Sequence, residues 1–415
     1  MTTKSRFFNI SILYITLWVF YSLQGTLYAS GSIISQGILM ILLLWSMYCC
    51  FVVNTKYTSN ELPKFFKAVN AFLIMATIYG IILILSGKEL YITEEEIIKT
   101  SNLDYLKTIY ISLLPLYTFY EFSKRGLLTE KHIRILTFVL LGLALANYIK
   151  DQQTHMIAAL EIGSSKEEFT LNSGYKFLRL IPLCLFWYKK PIIQIGLIVT
   201  CAIFLVLCMK RGAILIGAIC IIYFIFVVLR HMKGKQKFAI IMLIAIASFV
   251  VIGFIQNMLE TSDYFSYRIE QTLEGDSSNR DIIYAKYLDH IKNEQSPLLF
   301  LFGNGANATL AIGPNYAHND WLEIAINNGL FGVVIYIWYF IALFKDYIQS
   351  KRRLKYYYSN ALLMCFIILF STTLFSMSYN SIGIAQSIAI GFILGSIDNG
   401  NNKSINSRQE YKKLR

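Results

Sequence analysis

The side chains best suited to chemistry in this chain are a few cations and one imidazole, set at the edges of long apolar runs. Lys210-Arg211 interrupts what would otherwise be one apolar stretch from Ile192 to Leu229. Lys176 and Arg179 lie three apart on one face of an expected helix, just inside another apolar run. Arg280 falls in the first turn of a helix expected from Arg280 to about Asn293, where a cation opposes the helix dipole and does nothing for the helix. His318 stands beside Asn319 at the start of a second expected helix, which runs to Asn328. A guanidinium presents a planar fork of donors that matches carboxylate or phosphate oxygens, and an imidazole exchanges its proton near neutral pH. Plainer readings stand beside this chemistry when position alone is used. Lys210-Arg211 can be a hairpin turn whose charges reach lipid headgroups, Lys176 and Arg179 can snorkel, and Arg280 can pair with Asp276 or Asp281.

The elements that must position these groups follow from composition. Of 415 residues, 56% are apolar and only 15% charged, with a mean hydropathy of +0.52. A soluble domain carries roughly 25% charged residues, so this chain cannot cover itself with polar surface and is expected to be an integral membrane protein. A crossing helix needs about 20 mostly apolar residues. Twelve such runs are read at 7–24, 32–53, 65–86, 105–121, 134–149, 173–188, 191–209, 212–229, 238–257, 327–344, 359–378 and 381–397. The expected fold is an all-α polytopic bundle. Its parts are transmembrane helices over 1–257, a large outer loop over 258–326, three more transmembrane helices over 327–397 and a basic tail over 398–415. The first run is too long for a signal-peptide core and no persuasive cleavage site follows it.

Orientation is read from lysine and arginine. If Lys4 and Arg6 begin inside, most of the 38 basic residues fall in alternate loops on that side, and the acidic residues predominate on the other. Both termini are then cytoplasmic. The net charge of +13 reflects topology and attraction to anionic lipid, with no reason to invoke nucleic acid. Lys210-Arg211, placed outside, is the clearest exception to the rule. No Asp or Glu lies near the middle of any run, which weakens an ion-coupled transporter. The seven cysteines all lie in apolar stretches without a CxxC pair, which argues against a disulfide framework or a thiolate zinc site. The outer loops hold no Asp-x-Asp, and Glu94-Glu95-Glu96 is read as the solvated face of a short loop helix, so no metal site is expected.

Three short patterns then fall in order. His318-Asn319, nine residues, and Gly329-Leu330-Phe331-Gly332 resemble the His-Asn-x9-Gly-x-x-Gly signature of the O-antigen ligase/polymerase superfamily. The Arg280 helix, followed by Pro297 and Leu301-Phe302-Gly303-Asn304-Gly305, is similar to that family's arginine-bearing helix and its glycine turn. Lys210-Arg211-Gly212-Ala213 is similar to its Arg-Gly-Ala turn between two spans, with Lys210 in place of the usual small hydroxyl residue. The resemblance covers about 190–340, and the N-terminal half matches in hydropathy and span count alone.

The resemblance implies a GT-C-like membrane glycosyltransferase that needs no metal, nucleotide sugar or other cofactor. Such an enzyme moves a glycan from undecaprenyl pyrophosphate to an acceptor hydroxyl on the outer face of the inner membrane. Carried onto this chain, Arg211 and Arg280 would stabilise the departing pyrophosphate and His318 would accept or orient the acceptor proton. Lys210, Arg179, Tyr284 and Asn319 would help bind pyrophosphate or glycan. Expected partners are the lipid-linked glycan donor, a glycan acceptor and membrane lipid, with room for a chain-length regulator. A repeat-unit polymerase is the first reading and a ligase to a lipid A core the second. A protein O-oligosaccharyltransferase ranks third. The competitor from another class is a lipid-linked oligosaccharide flippase, and the long outer loop and one-sided cations speak against it.

Overall fold

A computed structural model describes residues 3–58, 61–87, 90–92, 97–99, 101–162, 170–231, 234–273, 280–313, 316–376, 378–379 and 381–397. The helices in chain order are α1 (Thr3–Ser22), α2 (Ile33–Lys56), α3 (Lys64–Ser86), α4 (Asn102–Lys124), α5 (Glu130–Ile162), α6 (Gly174–Cys184), α7 (Pro191–Leu207), α8 (Arg211–His231) and α9 (Gly234–Thr261). They continue with α10 (Asp263–Leu273), α11 (Arg280–Asn293), α12 (Pro297–Phe302), α13 (Thr309–Ile312), α14 (Asp320–Arg353), α15 (Tyr356–Phe375) and α16 (Ile384–Ile397). The chain is a helical membrane bundle. Among the described residues, seven helices (α2, α3, the first 25 residues of α5, α8, α9, α14 and α15) are long and apolar enough to cross a membrane, and three shorter apolar ones lie in α1, α7 and α16.

Two expected runs take a different form. The run at 173–188 is not one continuous α-helix: α6 has 11 residues and gives way to a 3-10 turn at Leu185–Trp187, just after Pro182. Eleven residues rise only about 16 Å, half of a hydrocarbon core. The run at 105–121 lies in α4, which is less apolar because it buries Ser112, Thr118, Glu121 and Ser123 against its neighbours. The all-α expectation also needs one amendment among the described residues: strands β1 (Leu90–Ile92) and β2 (Ile97–Lys99) form an antiparallel pair. Glu94-Glu95-Glu96, the Ser277-Ser278-Asn279 cap, Asp276 and the basic tail lie outside the described residues.

Packing explains why some of these helices are more buried than others. Helix α14 lies against α3 and α15. Their seam is aromatic, with the Phe65 and Tyr339 ring centres 4.7 Å apart and those of Tyr336 and Phe340 5.0 Å apart. Asp346 of α14 caps α3 by accepting from the Lys64 and Phe65 backbone N–H groups at 3.1 and 2.8 Å. Helix α16 approaches α4 through Gly391 and Gly395, where an added Cβ would come within 2.8 Å of the Leu116 carbonyl and 2.5 Å of the Tyr120 carbonyl. Small residues four apart allow this close contact in lipid, where water exclusion gives helices no reason to associate. Helix α9 is peripheral: of its residues only Ile240 is buried, while Phe249 and Ile252 are turned outward.

Candidate functional site

The turn between α7 and α8 carries the first two cations. Helix α7 is capped by Cys208, Met209 takes a left-handed φ of +51°, and Lys210 leads into Arg211, the first residue of α8. This turn is fixed by the segment before α6. The Leu171 N–H donates to the Cys208 carbonyl at 2.9 Å, and a Cβ on Gly174 would lie 3.1 Å from that of Cys208. The helix start is packed equally closely on its other side. A Cβ on Gly212 would sit 3.0 Å from the Tyr175 hydroxyl and 3.2 Å from the Phe375 Cβ. Arg211 therefore begins a helix wedged between α6 and the end of α15.

The end of α15 is where the second arginine arrives. Arg280, first residue of α11, donates from Nη1 to the Phe375 carbonyl at 3.0 Å. Helix α15 stops at Phe375, and that carbonyl is one of the orphan acceptors every helix end leaves. The chain then crosses to α16 through a polar segment held from several sides. Asp320, fully buried, accepts from the Ser378 N–H at 2.8 Å, the Ser378 hydroxyl at 2.7 Å and the Tyr336 hydroxyl at 2.6 Å. The Ser381 carbonyl accepts from Arg179 at 2.5 Å, and the Ile382 N–H donates to the Ser112 hydroxyl at 2.6 Å. One short segment thus fixes Arg280 and Arg179 and touches the base of Arg211.

His318 is held from below. Asn319 caps α14 by accepting from the Trp321 and Leu322 N–H groups at 2.9 and 3.3 Å. His318 itself adopts φ +51°, a left-handed conformation uncommon outside glycine, and its carbonyl accepts from the Tyr284 hydroxyl at 3.5 Å. The loop before it is tied to buried Glu323, which accepts from the Thr309 hydroxyl at 2.5 Å, the Ala317 N–H at 2.9 Å and the Asn327 amide at 3.1 Å. The imidazole is half-buried. Burial first, then the nearby charges of Arg280 and Lys210, hold its pKa below the ordinary histidine value. A neutral ring at neutral pH keeps a lone pair available to accept a proton.

The glycine patterns have a separate, architectural task. Helix α14 is broken at Gly329, whose φ is +64° and ψ −163°. The break frees the Ile326 and Asn327 carbonyls, and these accept from Asn304 and Gly305 at 2.8 and 3.0 Å. The two backbones meet with no room for side chains. A Cβ on Gly329 would fall 2.5 Å from the Gly303 nitrogen, and one on Gly303 2.5 Å from the Asn327 backbone. Both glycines have positive φ, so the Gly303 turn and the Gly329 break are one interlocked joint. That joint sets the angle at which the His318 end of α14 leaves the bundle.

The structure therefore gathers five of the seven expected side chains. Arg211, Arg280, His318, Lys210 and Tyr284 share one end of the bundle, around Phe375 and the start of α14. Asn319 is engaged as a helix cap. Arg179 lies on the far side of Tyr175, facing a groove between α1, α2, α4 and α5. Arg280 also reaches the Phe375 carbonyl, since a helix end can hold a guanidinium, while Asp276, one of its expected partners, lies outside the described residues. Sequence reading missed Asp320, Tyr175, Phe375 and Ser378. The one available signal was the polar run Ser376, Ser378, Asn380 and Ser381 between two apolar stretches. Among the described residues, no three His, Cys, Asp or Glu side chains gather as a metal site.

Chemically, this end offers fixed guanidiniums for an anion with several oxygens and a neutral imidazole within their field. No curated protein matches the chain. A family model described as O-antigen ligase matches residues 196–337, a stretch running from α7 through the kinked start of α14 and containing Arg211, Arg280 and His318. Through that third of its length, the chain is similar to the O-antigen ligase family.

Proposed function

We propose that the protein is a glycosyltransferase that polymerises oligosaccharide repeat units carried on undecaprenyl pyrophosphate. It would act at the outer face of the bacterial inner membrane, with both termini in the cytoplasm and a GT-C-like bundle of twelve spans. The observation that carries this reading is the convergence of Arg211, Arg280 and His318 at one end, with Arg280 held by a main-chain carbonyl.

In the reaction, the acceptor hydroxyl oxygen bonds to the anomeric carbon of the donor glycan. The bond from that carbon to the pyrophosphate oxygen breaks, and its electron pair leaves with undecaprenyl pyrophosphate. Arg211 and Arg280 stabilise the charge that develops there, and His318 takes the hydroxyl proton. Preorganised cations suit this work because the chain positions them before charge appears. Lys210 adds positive potential, and Tyr284 steadies the His318 backbone. The polyprenyl tail stays in lipid while the sugars face the loops over 258–326.

A ligase that passes the glycan to a lipid A core uses the same site and is the second reading. The test is a surface-glycan gel from a strain lacking the gene, complemented with Arg211→Ala, Arg280→Ala or His318→Ala. A single repeat unit with no ladder identifies the polymerase. Bare acceptor, with long chains accumulating on the carrier, identifies the ligase. A full ladder from all three variants overturns the site.

A further inference from the structure

A large cavity lies outside the stretch that matches the family model. It is a groove of about 1190 Å³ walled by α1, α2, α4, α5 and α6 and by the start of α16. None of its lining residues falls within 196–337. Roughly 300–1,000 Å³ serves a small-molecule pocket, so this one is large for a compact ligand.

Its chemistry is graded along its length. Helix α2 lines it from Ser35 through Leu39 and Leu43 to Met47, a rise of about 18 Å, which reaches the middle of a hydrocarbon core about 30 Å thick. That floor is apolar. The rim, at the same end as Arg211 and Arg280, carries Lys150, Lys176 and Arg179. Lys107 is also there but pairs with Asp104 at 3.0 Å. Asp151, beside Lys176, accepts from the Ser173 N–H at 3.2 Å. Lys150 donates to the Gln24 carbonyl at 3.2 Å and Arg179 to the Ser381 carbonyl, so both are positioned by main chain. An apolar slot with a cationic mouth fits a single-chain lipid with an anionic head.

Helix α6 separates this mouth from the site already described. Tyr175 packs on Gly212 beside Arg211, and Arg179, one turn further along α6, faces the groove. We infer that the groove seats the second lipid-linked substrate, the polyprenyl-pyrophosphate-linked acceptor glycan, with its intact pyrophosphate at Lys150, Lys176 and Arg179. The inference rests on the polymerase reading, in which donor and acceptor each carry a lipid and only the donor loses its pyrophosphate. An acceptor held across α6 would have its terminal sugar directed toward His318 while its own pyrophosphate stays away from Arg211 and Arg280.

The test counts lipids bound to the full-length protein by native mass spectrometry, with undecaprenyl pyrophosphate as probe. Two equivalents are expected on the unaltered chain. Lys150→Glu with Lys176→Glu should lower the affinity for one of them at least about tenfold, as should Leu43→Trp, which narrows the slot without touching charge. Arg211→Ala with Arg280→Ala should lose the other equivalent and keep this one. If both groove variants keep two equivalents, the groove is not a lipid pyrophosphate seat. If phosphatidylglycerol at equal concentration displaces the groove equivalent, the site is a general phospholipid contact and the inference falls. If the groove variants each lose one equivalent while the arginine variant loses none, the acceptor seat stands and the donor site has been misplaced.

Discussion

The two ends of the bundle hold their arginines in different ways. At the end away from the site, ions meet ions. Arg125 bonds Glu121 at 2.5 Å while the Tyr57 hydroxyl donates to the same carboxylate at 2.9 Å. Glu130 accepts from Lys355 at 2.9 Å and from the Tyr358 hydroxyl at 2.7 Å, with Arg134 at 3.7 Å. At the site end, Arg280 and Arg179 are held by carbonyls of Phe375 and Ser381, and the buried carboxylates Asp320 and Glu323 are occupied by hydroxyl, amide and backbone donors. A carbonyl fixes a guanidinium without cancelling its charge. At the first end carboxylates meet the cations, and at the second main-chain carbonyls hold two guanidiniums in the arrangement that the proposed anion site would use.

The sharpest way to break this comparison is to remove one arginine from each end. Arg280→Ala should lower polymer synthesis by about 10²–10³-fold or more, the usual cost of deleting one preorganised donor, with normal membrane accumulation. Arg280→Lys should recover little, because a point charge lacks the planar fork. Arg125→Ala should do the reverse, lowering accumulation and leaving the specific activity of the surviving protein intact. Equal activity losses at both ends would show that the contrast has no functional meaning.

The joint between Gly303 and Gly329 comes next in size. Gly329→Ala places a Cβ 2.5 Å from backbone at a positive φ. Strain and overlap together should cost roughly 2–4 kcal/mol, visible as a lower melting temperature in detergent. Gly305→Ala makes a sharp control: its φ is +101° but nothing lies within 4 Å of an added Cβ, so only the strain remains.

The site end should also betray its positive potential through pH. Protonated His318 cannot accept a proton, so activity should fall as pH drops through its pKa, which burial, Arg280 and Lys210 hold below 6.5. The acid limb of the rate profile therefore lies on the acidic side of the ordinary histidine value. Lys210→Ala removes one repelling charge and should shift that limb toward higher pH. An acid limb that stays in place would mean that the Lys210 charge does not act on the imidazole.

A smaller effect is expected from Ser378→Ala. It deletes the hydroxyl that donates to Asp320 at 2.7 Å but leaves the Ser378 N–H at 2.8 Å in place. The loss should be about 1 kcal/mol of stability, with a several-fold drop in activity as the Phe375–Ser381 segment loosens.

The cations of the candidate site were legible because they violate the pattern of their surroundings. Lys210-Arg211 breaks an apolar run, and the helix from Arg280 to Asn293 and the one opening at Asn319 appear where helix signals put them. The arrangement of partners was less legible. A carbonyl acceptor leaves no trace in sequence, so Phe375 looked like nothing more than the end of an apolar helix. Asp320 was hidden because its partners, Tyr336 and Ser378, are 16 and 58 positions away. Helix α6 illustrates a further limit. Hydropathy registers a continuous apolar run, whereas Pro182 and the packing around it decide where the helix stops.

The weakest perturbation should be found where ions meet ions at the surface. Lys355 is 57% exposed, while its partner Glu130 is 14% exposed and retains the Tyr358 hydroxyl and Arg134 if the lysine is removed. Solvent already screens the lysine, and truncating it leaves no buried charge alone. Lys355→Ala should therefore cost less than about 1 kcal/mol and leave polymer length unchanged. Glu130→Gln should cost more, because it strands Arg134 and Lys355 beside a group that cannot neutralise them. Thermal unfolding of both variants in the same detergent, alongside a glycan gel, checks this ranking. If Lys355→Ala shortened the polymer without lowering stability, the end away from the site would be contributing to the reaction, and charge neutrality there would need a functional explanation.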